Sequence, residues 1–172
     1  MDANDVLSGL IYDAAAGALR YRQVRYLLIR PETIIAFQKE AEARLGHDGA
    51  AALLYAGGFS GGRLSGQHYR ESLGLSPAEA VEFMCRMGSQ IGWGRFTVVA
   101  LDEAGRRLEV EVIGSPFPEA YGTGAVGGVC HLVRGVLGGL MSGLYGVEVR
   151  AKETACRGRG DRVCGFVVEA LT

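Results

Sequence analysis

The sequence predicts an α+β domain in which antiparallel hairpins pack against several helices and the C-terminal hairpin is stapled by a zinc ion. Three observations carry this prediction. Residues 96–114 and 147–170 alternate apolar and polar side chains with a period of two, the pattern of half-buried strands. Segments 31–59, 77–91 and 123–145 repeat instead at helical spacing. Three of the four cysteines, Cys130, Cys156 and Cys164, fall within residues 130–164, with Glu153 among them. The 172 residues contain no linker-like tract and are read as one domain, 1–172.

Taken in order, the opening residues to about Ala18 read either as a short helix or as a hairpin turning at Asp13 to Gly17, with the hairpin preferred. YRQVRYLLIR, residues 21–30, reads as a strand because it is rich in Tyr, Val, Leu and Ile, and it stops at Pro31. Pro31 suits the first turn of a helix whose apolar stripe is Ile34, Ile35, Phe37, Ala41 and Leu45, and Gly46 is placed to end it. Asp48 is a cap for a second helix through Ala50, Leu53 and Leu54 towards Phe59, whereas residues 60–75 fit a continued helix or a loop equally well. Ser76, Pro77 and Glu79 supply an N-cap, a first-turn proline and a capping-box acid for a helix presenting Val81, Phe83, Met84, Met87 and Ile91.

FTVVALD and RLEVEVIG flank the turn EAGR and form a hairpin. SPFPEAYG is a proline-punctuated connection, followed by a helix over residues 123–145. In that helix Gly135, Gly139 and Gly143 form a row at four-residue spacing, which sacrifices about 3 kcal/mol of helix propensity and points to a very close neighbour. The neighbour is either another helix of the same chain, the preferred reading, or the same helix of a second subunit. A second hairpin, VEVRAKE and VCGFVVEA joined by TACRGRGDR, completes the chain.

Composition narrows the function classes. Lys and Arg number 18 against 19 Asp and Glu, a net charge of -1, and no long basic block is present, so direct nucleic-acid binding is not expected. Charges at Asp5, Asp13, Arg20, Arg22 and Arg25 break up the first thirty residues, and no segment is apolar for long enough to span a bilayer; a cytoplasmic location is expected. There thiols stay reduced, and clustered cysteines are better read as ligands than as disulfide partners. Glycine, 27 residues against the usual ~7%, sits largely in apolar segments and points to close backbone packing.

Strand alternation turns Val147, Val149, Ala151 and Glu153 to one face, so Glu153 points where the apolar residues point. A carboxylate directed at a core needs a partner, and a cation is a natural one. Cys164 shares its face with Phe166 and Val168 and is turned inward too. Three thiolates and one carboxylate suit zinc best, and four protein donors make a closed, structural site with no open position for hydrolytic chemistry. Cys85, on a helix beside Phe83, Met84 and Met87, is read as a small core residue.

The spacings from Cys130 to Glu153, to Cys156 and to Cys164, together with RYLLIRPET, WGRF, SPFPEAYG, VCHLVRGVLGGLMSGLYG and ETACRGRGDRVCGF, resemble the 4-vinyl reductase domain family from about Val24 to Val168. The resemblance implies a fold related to a subunit of the vesicle-tethering complex, usually dimeric, with a hydrophobic cavity near a zinc ion. It implies zinc held by Cys130, Glu153, Cys156 and Cys164, as in bacterial activators that sense phenols and other aromatic hydrocarbons. The histidine and tryptophan that hold the phenol hydroxyl in those sensors have no evident counterparts: Trp93 belongs to a strand-start landmark. His131 either supports the metal ligands from behind or, preferably, is a plain packing or surface histidine, and His47 and His68 lie in polar stretches read as solvated.

For the cavity the candidate lining is Tyr55, Phe59, Phe83, Met87, Trp93, Phe96, Phe117 and Tyr121, with Met84. No nucleophile elbow or phosphate-cradling loop is assigned, and the glycine strings GGFSGG and GTGAVGG lack the strand and acidic partner of a dinucleotide site. The expected function is therefore a zinc-containing, homodimeric binding or sensor domain for a small hydrophobic or aromatic molecule, acting through a separate output protein. A component of tetrapyrrole vinyl reduction and a scaffold subunit are the alternatives.

Overall fold

The computed structural model describes residues 4–22 and 24–171 and shows the expected α+β architecture. Among them are helices α1 (Asp5–Ser8), α2 (Pro31–Glu71), α3 (Pro77–Gln90), α4 (Pro116–Tyr121) and α5 (His131–Tyr145). The strands are β1 (Leu10–Asp13), β2 (Ala18–Tyr21), β3 (Val24–Tyr26), β4 (Arg95–Asp102), β5 (Arg107–Ile113), β6 (Val149–Ala155) and β7 (Cys164–Ala170).

The N-terminal region holds both alternatives, the one-turn helix α1 and then the β1–β2 hairpin, whose turn is closed by Asp13 Oδ1 accepting from the backbone N–H groups of Ala15 and Ala16. The strand expected over 21–30 is broken: β2 ends at Tyr21, Arg22 takes a positive φ of 54°, and β3 runs only to Tyr26, leaving Leu27 to Ile29 outside the sheet and exposed. Gln23, residues 1–3 and residue 172 lie outside the described residues.

Gly46 interrupts α2 with φ 73° and ψ 170°, the left-handed φ that favours glycine, and the helix resumes at once. It then continues to Glu71, which resolves residues 60–75 as helix for most of their length. The α3 start is as expected, with Ser76 and Glu79 exchanging side-chain to backbone hydrogen bonds. Beyond β5 the sequence reading is corrected twice. SPFPEAYG carries the short helix α4, and the helix expected over 123–145 begins only at His131. Residues 122–130 are irregular, with Gly122 and Gly124 at positive φ, so Cys130 is the N-cap of α5 and not an interior residue.

The two predicted hairpins merge into one antiparallel sheet of order β4-β5-β7-β6, while β1-β2-β3 forms a separate small sheet. Leu108, Val110 and Val112 of β5 pair in register with Val168, Phe166 and Cys164 of β7, and all six are buried. Helix α5 packs on β6 and β7 with one side and on α2 with the other, so Val133, Leu137, Leu140 and Met141 lose nearly all exposure. Each such side chain contributes about 1.5–3 kcal/mol of burial.

The α2–α5 contact explains the glycine row. A Cβ on Gly135, Gly139 or Gly143 would run into the carbonyl oxygens of Tyr55, Phe59 and Arg63, and one on Gly58, Gly62 or Gly66 into those of Leu132, Val136 and Leu140. Six glycines thus interlock two helices of the same chain, backbone against backbone.

Candidate metal centre and adjoining cavity

Cys130, Glu153, Cys156 and Cys164 converge, with one donor atom from each lying within 4.8 Å of every other. Each is delivered by a different local device. Cys130 caps α5; Glu153 sits on the inward face of β6, whose exposure alternates as the sequence predicts; Cys156 follows a register shift between Glu153 and Ala155; Cys164 opens β7. The loop between the strands is a one-turn 3-10 helix, Arg157–Arg159, and Asp161 Oδ2 accepts from Cys156 N–H at 2.7 Å and from Arg159 Nη2 at 3.0 Å, fixing the backbone that presents Cys156. Gly128 is required beside Glu153, because a Cβ there would strike Oε2.

The donor set fits a soft tetrahedral ion. The three thiols are buried and free, and the Cys130 and Cys164 sulfurs lie 3.6 Å apart, far beyond a disulfide bond. Two sulfurs bound to one zinc at ~2.3 Å in a tetrahedron would be separated by about 3.8 Å. Glu153 Oε2 accepts the Cys130 N–H at 3.2 Å, while Oε1 is buried with no hydrogen-bond partner among the described residues. An orphaned buried carboxylate oxygen among three thiols is what a cation satisfies.

Without an ion the cluster retains protons. Burial pushes Glu153 up to about 8, with the Cys156 thiol adding to the shift. Cys164 is drawn down to about 4 because the thiols of Cys130 and Cys156 hydrogen-bond to it, and Cys130 is driven far up by its bonds to Cys156 and Cys164. Cys85 lies elsewhere, on α3, and burial raises it to about 12, the behaviour of an inert core thiol.

The proposed aromatic lining divides among several places. An apolar cavity of about 220 Å³ lies between α2, α3, α5 and the start of β4, and Met84, Met87, Trp93 and Phe96 are among its walls. Val133, Val136 and Leu137 close it from α5; Val133 is three residues, or about 4.5 Å of helix rise, beyond Cys130. Tyr26, Ser65 and Tyr69 bring hydroxyls to it, and burial raises Tyr69 to about 12, keeping its phenol a donor. These polar groups escaped the sequence reading, which sought only apolar walls. Phe83 borders a neighbouring cavity of about 250 Å³ with Tyr21, Arg22 and Tyr69. Tyr55 and Phe59 face a surface groove beside Arg63, Ser142 and Glu148. Phe117 packs edge-on against Trp93 with ring centroids 5.4 Å apart, and the Tyr121 hydroxyl donates to Glu42 Oε2 at 2.8 Å.

The histidines depart from expectation. His131 is only 3% exposed, and neither ring nitrogen has a hydrogen-bond partner among the described residues; burial, then Arg134 and His47, holds it down at about 4. His47 keeps some exposure but faces His131, with ring centroids 5.3 Å apart. His68 is half-buried and lines the cavity with Phe83. One motif was overlooked: Gly58-Phe59-Ser60-Gly61-Gly62 has the G-x-S-x-G spacing. It lies inside α2, with no strand-to-helix turn to make a nucleophile elbow, and Gly58 and Gly62 serve the contact with α5.

Residues 108–170 match the family model of the vinyl-4-reductase (V-4-R) domain, in line with the resemblance read from the sequence. Comparison with curated proteins gives no match. Among solved structures, the phenol-responsive sensory domain of the transcription activator PoxR with phenol shares 21% identity at a TM-score of 0.83, covering 96% of this chain and 87% of that one. A trafficking protein particle complex subunit 3 from Naegleria fowleri, covalently bound to palmitic acid, shares 12% identity at 0.60 over 83% and 95% of the two chains. A vinyl-4-reductase family protein from Methanocaldococcus jannaschii shares 14% at 0.52 over 86% and 98%. These likenesses show the fold. Among the described residues no helix is long and apolar enough to cross a membrane.

Proposed function

We propose that this chain, whose residues 108–170 match the vinyl-4-reductase domain model and whose fold is shared with a phenol-responsive sensory domain, is a zinc-stapled receptor for a small, single-ring aromatic molecule. The observation that carries this reading is the apolar cavity with Tyr26, Ser65 and Tyr69 hydroxyls, one helical turn from the Cys130 donor. At about 220 Å³ it exceeds the ~150 Å³ known to hold benzene and falls below the ~300 Å³ at which drug-sized pockets begin. The size favours one ring bearing a hydrogen-bonding group over a tetrapyrrole.

Cys130, Glu153, Cys156 and Cys164 would hold the zinc. A closed set of four protein donors supplies structure and no open position. It would tie the β6–β7 hairpin to the start of α5, the helix that also forms a cavity wall. Occupancy would then reach a partner through α5 to the extent that ligand prefers one arrangement. Leu27, Leu28 and Phe37, at 81%, 77% and 65% exposure, support a surface covered by a second copy or an output protein.

Thermal-shift and calorimetric titration with phenol, catechol, toluene and a porphyrin tests the reading. Saturable stabilisation by a hydroxylated single-ring compound is expected. Binding of the porphyrin alone, or of none of the four, overturns it.

A further inference from the structure

A second set of metal-type donors lies apart from the three cysteines. Glu42, His47 and His131 each offer one ligand atom, and the three atoms lie within 4.8 Å of one another. In an unbroken helix Glu42 and His47 would stand about 140° apart, since each residue turns the chain by ~100°. Gly46, at φ 73° and ψ 170°, breaks α2 between them and brings His47 Nδ1 to 3.9 Å from Glu42 Oε1. That separation is too long for a hydrogen bond, so the pair do not satisfy each other. His131 enters from the first residue of α5, buried, with both nitrogens unpartnered among the described residues.

The carboxylate is oriented from behind. Gln38 Nε2 donates to Glu42 Oε1 at 3.1 Å and the Tyr121 hydroxyl donates to Oε2 at 2.8 Å. Gln38 is itself buried at 2% exposure. Each carboxylate oxygen keeps a further lone pair, and outer donors of this kind are what hold a ligating carboxylate in place. The 42% exposure of the His47 side chain leaves an entry path, and Gly127 passes so close that a Cβ would lie 2.6 Å from His47 Nε2.

We propose that Glu42, His47 and His131 form a second, open site for a divalent transition ion of the zinc class, separate from the thiolate cluster. Two imidazoles and one carboxylate are a donor set used by zinc with a fourth position free for water or an oxygen ligand. The site does not depend on the aromatic-receptor reading or on zinc at the cysteines.

Cobalt(II) titration of the reduced, chelator-stripped full chain distinguishes the two sites, because only the cysteine site gives a thiolate-to-cobalt charge-transfer band. Two equivalents are expected, one with that band and one showing ligand-field bands alone. His47→Ala, at a half-exposed position that leaves the core intact, is expected to lower affinity for the second equivalent about 100-fold with the charge-transfer band unchanged. Tyr121→Phe is expected to weaken it about tenfold by freeing Glu42. Cys164→Ser should retain the band-free equivalent. A single equivalent in the wild-type chain, or two undiminished equivalents in His47→Ala, overturns the proposal; loss of the charge-transfer band alone counts against the cysteine site and not against this one.

Discussion

Glu153 Oε2 accepts the backbone N–H of Cys130 at 3.2 Å, so a side chain of the terminal hairpin caps the helix that begins with another candidate ligand. Two donors separated by twenty-three positions are thereby locked together before any ion arrives. The capping bond uses one carboxylate oxygen and leaves Oε1 for the ion.

Metal affinity should depend on pH with a definite sign. In the metal-free chain Glu153, raised to about 8, carries a proton at neutral pH, and so does Cys130, whose thiol is also pushed up. An incoming ion must displace those protons, so zinc affinity is expected to rise by at least about tenfold per pH unit between about pH 6 and 8. Competition with a chromophoric chelator measures the slope, and Glu153→Gln should reduce it by one proton per ion. A flat profile would show that the carboxylate is not a ligand.

Chelation should destabilise the fold. An ion bound only by the native state, at a free concentration about 100 times its dissociation constant, adds about 2.7 kcal/mol. Stripping zinc is expected to lower the urea midpoint by a corresponding amount, with recovery on adding zinc and none on adding magnesium, which prefers oxygen donors.

The glycine seam predicts opposite signs for chemically identical substitutions. Gly139→Ala forces a methyl into the Phe59 carbonyl and is expected to cost about 2–3 kcal/mol. Gly57→Ala, at a helical position with no atom within 4 Å of the new Cβ, should stabilise by about 0.5–1 kcal/mol. Equilibrium denaturation of the two variants reads both values, and equal effects would contradict the packing described.

Tyr69→Phe isolates the polar end of the cavity. The ring still packs edge-on against Phe83, at a centroid distance of 4.9 Å, while the hydroxyl is lost. Phenol affinity is expected to fall about tenfold, corresponding to ~1.4 kcal/mol, and toluene affinity to stay within about twofold. A parallel loss for both compounds would mean that Tyr69 only shapes the wall.

Local chemistry made much of the fold legible. Period-two alternation located both hairpins, and Ser76-Pro77-Glu79 located the start of α3. It also turned Glu153 inward, as β6 shows. Three features were not legible because they depend on tertiary placement. The glycines of 57–66 read as helix breakers until α5 is laid against them, and this is why the run 60–75 stayed undecided. Cys130 counted as part of a helix because Val126 and Val129 continue its apolar period, although the chain there is irregular and Val126 is fully exposed. Glu42 and His47 looked like solvated residues because their meeting with His131 depends on one backbone angle at Gly46.

The interlocked glycines also decide where movement can occur. Side chains can change rotamer to absorb a shift, whereas carbonyls resting on α-carbons cannot, so α2 and α5 behave as a single rigid body. Cavity walls contributed by Gly62, Val133 and Leu137 belong to that body. Met84, Met87 and Ile91 belong to α3 and its C-cap and meet it through deformable side chains. A guest that needs more room will displace α3, and with it the β4 edge that Phe96 carries, so the output of occupancy is to be sought on that side of the molecule.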